Sequence, residues 1–110
     1  MNRTTYLGEL EQMILLSVLR LGRDASASGV RDELASKTGR MVARGAIYIT
    51  LDRLVNKGYL TSRLAQPTRE RGGHRNRFFT LTTSGRAALR VSRDALVKLW
   101  SGHEAQLEKP

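Results

Sequence analysis

Five potential cations crowd one short stretch of this chain. Arg69, Arg71, His74, Arg75 and Arg77 lie close together around the paired glycines Gly72 and Gly73, and only Glu70 offsets them. Guanidinium groups are planar, forked donors that match phosphate oxygens. Paired glycines let a loop tip fold tightly and pass near another backbone. Upstream, the segment ARGAIYIT carries a second set of groups. Arg44 can pair with a guanine edge or a phosphate, Tyr48 can donate its hydroxyl to a phosphate, and Ile49 can touch a thymine methyl. Gly45 leaves a helix start bare where it would meet a sugar–phosphate wall. Residues 41–80 hold eight Lys/Arg against two acids, a net +6 of the chain's formal +9. Neutralising a polyanionic backbone requires such a concentration of charge.

Other chemistries find no residues to carry them. His74 and His103 are the only histidines, lie far apart, and have no carboxylate–histidine ligand pattern beside them. GRDASASG and ERGGHR contain glycines but lack the strand–loop–helix context of a phosphate loop. No nucleophile–base–orienter set is present. The reading is therefore no enzyme, no metal and no cofactor. The absence of cysteine excludes disulfides and thiolate metal sites. The opening MNRTTYLGELEQ has acids where a signal peptide would be apolar, and the run MILLSVL is too short to span a bilayer. A cytoplasmic protein with no membrane partner is expected.

The elements that must position these groups follow from periodicity. Leu7–Leu21 has apolar residues at 7, 10, 13, 14, 18 and 21, which is helical spacing. Leu15, Leu16 and Leu19 extend that surface almost all round, so the helix must be central or covered by a partner. A second helix is expected over 26–38, capped by Asp24 or Ser26 and stopped by Gly39. A third is expected over 44–57, with Ile47, Leu51, Leu54 and Val55 inward and Gly45, Ile49, Asp52, Arg53 and Asn56 outward. Strand-like runs at 59–65 and 75–82 flank the basic loop. A last helix is expected over 84–105, with Leu89, Leu96, Leu99, Trp100 and Leu107 at roughly coiled-coil spacing. Trp100 reads either as packing across a dimer or as a flat aromatic wall for a small ligand. The fold class is mainly α with a small β-hairpin: a winged helix-turn-helix over 1–82 and a C-terminal dimerisation helix over 83–110, forming one compact unit.

The segments LGELEQMILLSVLRLG, VRDELASKTGRMVARGAIYITLDRLVNKGYL and GGHRNRFFTLTTSGRAAL resemble the PadR family of bacterial transcriptional regulators. The resemblance covers about residues 7–89 and matches the short class, which has a single C-terminal helix. It implies a homodimeric repressor that binds a palindromic operator in double-stranded DNA. In some relatives a phenolic or multidrug-type effector releases the DNA, so a small aromatic or drug-like effector is a further expectation. Carried onto this chain, the DNA-binding set is Arg44, Gly45, Tyr48, Ile49, Arg71, His74, Arg75 and Arg77. The dimerisation set is Leu10, Ile14, Leu89, Leu96, Leu99 and Trp100, with Trp100 also the expected ligand contact. The chain departs from the family pattern at Ser26-Ala27, where many relatives have a Tyr-Gly pair, and at Ala43, where many have Ser. The second change removes an N-cap worth up to about 1 kcal/mol. The alternatives are a winged-helix protein-interaction module and a non-specific nucleic-acid binder.

Overall fold

The computed structural model describes residues 6–65 and 76–109. The elements run α1 (Glu9–Leu21), α2 (Ala27–Thr38), α3 (Arg44–Asn56), β1 (Leu60–Leu64), β2 (Arg77–Leu81), α4 (Thr83–Trp100) and α5 (Glu104–Leu107), with a 3-10 turn at Gly22–Asp24. The architecture is that of a winged helix: three helices and an antiparallel hairpin around one core, with a long helix leaving it.

Each helix has an identifiable start and stop. The Glu11 carboxylate accepts the Gly8 N–H at 3.0 Å and Lys57 Nζ at 2.7 Å. It thus caps α1 and ties it to the far end of α3. Burial alone would raise the Glu11 pKa. The hydrogen bonds from Lys57 and Gly8, and the charges of Lys57 and Arg53, outweigh that and hold the carboxyl below its ordinary value. Ser26 Oγ accepts the Gly29 N–H at 3.1 Å to cap α2, and Gly39 ends α2 in the left-handed region at φ 75°. Arg31 Nε donates to the Val42 carbonyl at 3.0 Å and fixes the short turn into α3. Ala43 provides no side-chain cap, as its residue type dictates.

Ile14, Leu15 and Val18 of α1, Val30 and Leu34 of α2, and Ile47, Leu51 and Leu54 of α3 meet Leu60 and Phe79 of the hairpin in a single core. In the hairpin Leu60 pairs with Leu81 and Leu64 with Arg77. The other edge of β2 is also occupied. The Phe79 N–H donates to the Ala25 carbonyl at 2.9 Å, and Ser26 bridges Phe78. The entry to α2 is therefore pinned to the hairpin.

The junction of hairpin and α4 is closely packed. Thr82 Oγ1 donates to the Gly58 carbonyl at 2.7 Å and accepts the Gly85 N–H at 3.0 Å. A Cβ on Gly85 would lie 2.3 Å from the Tyr59 carbonyl oxygen. Further along α4, Ser92 Oγ accepts the buried Leu7 N–H at 3.0 Å and anchors the segment before α1.

Several expected boundaries move. The first helix starts at Glu9 because Leu7 lies outside it, buried, with its N–H taken by Ser92. The second strand is Arg77–Leu81. The last helix does not run to residue 105. Gly102 adopts φ 84°, the His103 N–H donates to the Trp100 carbonyl at 2.8 Å, and α5 is a separate short turn. Among the described residues no helix is long and apolar enough to cross a membrane, and no cluster of His, Asp or Glu could hold a metal ion.

Candidate nucleic-acid interface

Complete burial of Ile47, Leu51 and Leu54 fixes the rotation of α3 about its axis. The opposite face is then forced outward. Arg44 and Gly45 are exposed, Tyr48 is 44 % exposed and Ile49 is 62 % exposed. A Cβ on Gly45 would meet nothing within 4 Å. Packing inside this chain therefore gives no reason for glycine there, although glycine costs a helix about 1 kcal/mol relative to alanine. Met41, in the turn before α3, is also exposed.

The hairpin stands beside this face. Arg77 at the start of β2 does not project freely. Its Nη1 donates to Asp52 Oδ1 on α3 at 2.6 Å, and its guanidinium lies 4.8 Å from the centre of the Phe79 ring. Asp52 is exposed on the outward side of α3. The pair thus links α3 to the hairpin base and neutralises the one carboxylate on the outward face of α3. Sequence reasoning placed both residues nearby but did not pair them. Arg71, His74 and Arg75 lie outside the described residues.

The expected dimerisation residues divide. Leu96, Leu99 and Trp100 are exposed on α4. Leu10 and Leu89 are half-buried against the core. Ile14 is a correction: it is fully buried among the chain's own core residues and has no surface to offer a partner. The exposed apolar groups on α1 are Leu16 and Leu19. With Leu96, Val97 and Trp100 they line a groove of about 490 Å³ between α1 and α4. The signal for them was the apolar surface running almost all round α1.

Comparison with known proteins agrees with this architecture. The model of the transcriptional regulator PadR-like family matches residues 15–91. A PadR family transcription regulator from Clostridium difficile R20291 superposes with a TM-score of 0.73 at 16% identity, covering 91% of this chain and 99% of that one. F93 from STIV, described as a winged-helix DNA-binding protein, gives a TM-score of 0.72 at 17% identity, covering 90% of this chain and 99% of that one. Bacillus subtilis PadR, solved in complex with operator DNA, gives 0.64 at 26% identity over 80% of this chain; the match spans 47% of that protein's length. No protein with a curated description matches the chain. The family match spans most of the sequence and the fold agrees with it, so the chain belongs to the PadR-like family of transcriptional regulators.

Proposed function

We propose that this protein is a homodimeric repressor that binds a palindromic operator in duplex DNA. The N-terminal half of α3 enters the major groove. Arg44 and Tyr48 contact phosphates or base edges, Ile49 contacts a thymine methyl, and bare Gly45 admits the backbone wall. The loop between the strands, with Arg71, His74 and Arg75, reaches the neighbouring backbone, while Arg77 braces the hairpin against α3 through Asp52. The observation that carries this reading is the outward face of α3: exposed, basic at its start, and bearing a glycine that no internal contact requires.

Dimerisation supplies the second half-site. Leu96, Leu99 and Trp100 of one copy would cover Leu16 and Leu19 of the other, placing two reading helices roughly 34–36 Å apart, one turn of DNA. A small aromatic effector against Trp100 would release DNA only if it favours a dimer with altered helix spacing. The division at residues 82 and 83 follows from the same scheme, with α4 the arm that sets the spacing.

Titration against the protein's own upstream promoter duplex and a scrambled duplex, at two salt concentrations, tests the proposal. Two subunits per site, tighter binding to the promoter and a steep salt slope are expected. Equal affinity for both duplexes would favour a general nucleic-acid binder. No binding to either at low salt would favour a protein-contact module.

A further inference from the structure

Three arginines that make no ion pair among the described residues meet at one cleft. Among the described residues Arg20, Arg40, Lys57, Arg77 and Arg93 are each paired with a carboxylate. Arg23, Arg63 and Arg86 are in none of these pairs. They line a single cleft of about 660 Å³ with Leu19, Leu81 and Thr80. No Asp or Glu lines it, and Asp24, next in sequence to Arg23, is not among its walls. Arg63 is held in place: its Nη2 donates to the Arg23 carbonyl at 3.3 Å, and its guanidinium lies 4.9 Å from the centre of the Phe78 ring.

The cleft contains no α3 residue and adjoins the α1–α4 groove, with which it shares Leu19, Leu81 and Arg86. It is walled by the end of α1, the 3-10 turn, the hairpin and the first turn of α4. In the hairpin register Arg63 faces Phe78 and Thr61 faces Thr80, whereas Leu60, Phe79 and Leu81 are the strand residues buried in the core. Like charges gathered around one space repel one another, and a counter-ion of matching charge removes that cost. A monocarboxylate would leave two guanidiniums uncompensated. A phosphate or diphosphate offers charge and oxygens to all three. Leu81 and Leu19, the latter on the rim shared with the α1–α4 groove, give an apolar wall that suits the uncharged body of such a molecule, and the volume is typical of a small-molecule site.

We propose that this cleft binds a phosphorylated small molecule of nucleotide size. It bridges the hairpin, through Arg63, to α4, through Arg86. Occupancy would therefore fix the hairpin relative to the arm that carries the dimer surface. That regulatory consequence rests on the DNA-binding reading above; the binding itself does not.

Calorimetric titration of the full chain with inorganic pyrophosphate and with ADP tests it. Arg23 and Arg86 are exposed, so Arg23→Ala and Arg86→Ala should fold normally. Each should weaken pyrophosphate binding roughly tenfold. Lys37→Ala, an exposed cation outside the cleft, should change nothing. ADP should bind more tightly than pyrophosphate because of the apolar wall. Absence of saturable binding would overturn the proposal, as would an equal loss in Lys37→Ala, which marks diffuse attraction to a basic surface. Weaker binding of ADP than of pyrophosphate would overturn the nucleotide-sized occupant. Duplex affinity is then measured with and without pyrophosphate. A change in the wild type that is absent in Arg86→Ala supports the coupling. Loss of duplex binding in Arg23→Ala and Arg86→Ala without any pyrophosphate would show a DNA-backbone contact instead. Failure of the parent chain to bind any duplex would leave the calorimetric result standing.

Discussion

The outward faces of α3 and of the α1–α4 pair are both exposed, and they differ in how their apolar groups are arranged. On α3 the exposed apolar groups, Tyr48 and Ile49, sit singly among Arg44, Asp52 and Arg53. Between α1 and α4 the exposed groups Leu16, Leu19, Leu96, Val97 and Trp100 line one continuous groove, with Arg86, Arg90 and Arg93 also in its lining. Scattered apolar groups among charges are normal on a solvated surface that meets a polar partner. A continuous apolar groove loses free energy in water until something covers it. One core thus carries two distinct exposed faces, and the proposed function assigns α3 to a hydrated polyanion and the α1–α4 groove to a second copy of the chain. Both depend on the seam where the hairpin meets α4.

The seam gives the largest expected effect. Gly85→Ala places a methyl group against the Tyr59 carbonyl, where backbone must move. Chemical denaturation should show a loss of about 3 kcal/mol, at the upper end of overpacking costs. Unchanged stability would mean that the two faces do not share this joint. Next, Leu96→Glu with Leu99→Glu places two charges on the apolar face, where Leu99 is 77 % exposed. Sedimentation should report a monomer with wild-type helicity, and a persistent dimer would remove this face from the interface.

A smaller effect involves Glu11. Its folded pKa lies below the ordinary value of 4.5, so its contribution is fully present above the unfolded value. That contribution is lost as pH falls through the lower folded value. Stability of Glu11→Gln should be less sensitive to pH in that acid window than wild type; identical slopes would contradict the assigned role. Smallest is Gly45→Ala. It should stabilise the fold by up to about 1 kcal/mol yet weaken duplex binding. Tighter binding would show that nothing approaches the start of α3.

Much of this arrangement was legible in the sequence because single residues enforce it. Gly39 and Gly58 both take positive φ and end α2 and α3 close to the expected positions. The Ile47–Leu51–Leu54 spacing set the orientation of α3, so its exposed residues could be named in advance. Spacing was less decisive for α1, which is apolar on nearly every side. Only packing of α2, α3 and α4 around it distinguishes buried Ile14 from exposed Leu16. The Arg77–Asp52 pair needed the hairpin register, since 25 positions separate the two residues. The leucine repeat that continues to Leu107 led the expected last helix past Gly102, whose positive φ ends it. The cleft of Arg23, Arg63 and Arg86 joins three distant segments and had no sequence signal.

The most direct test of the account is duplex binding by the Leu96→Glu, Leu99→Glu variant beside the wild type, followed by fluorescence anisotropy at two salt concentrations. Linked reading helices should bind the promoter far more tightly than one helix alone, by a factor of about 10² or more. The predicted result is a folded monomer that keeps weak, salt-sensitive binding and loses the preference for the promoter over a scrambled duplex. A monomer with wild-type affinity and preference would contradict the division of labour between the two faces.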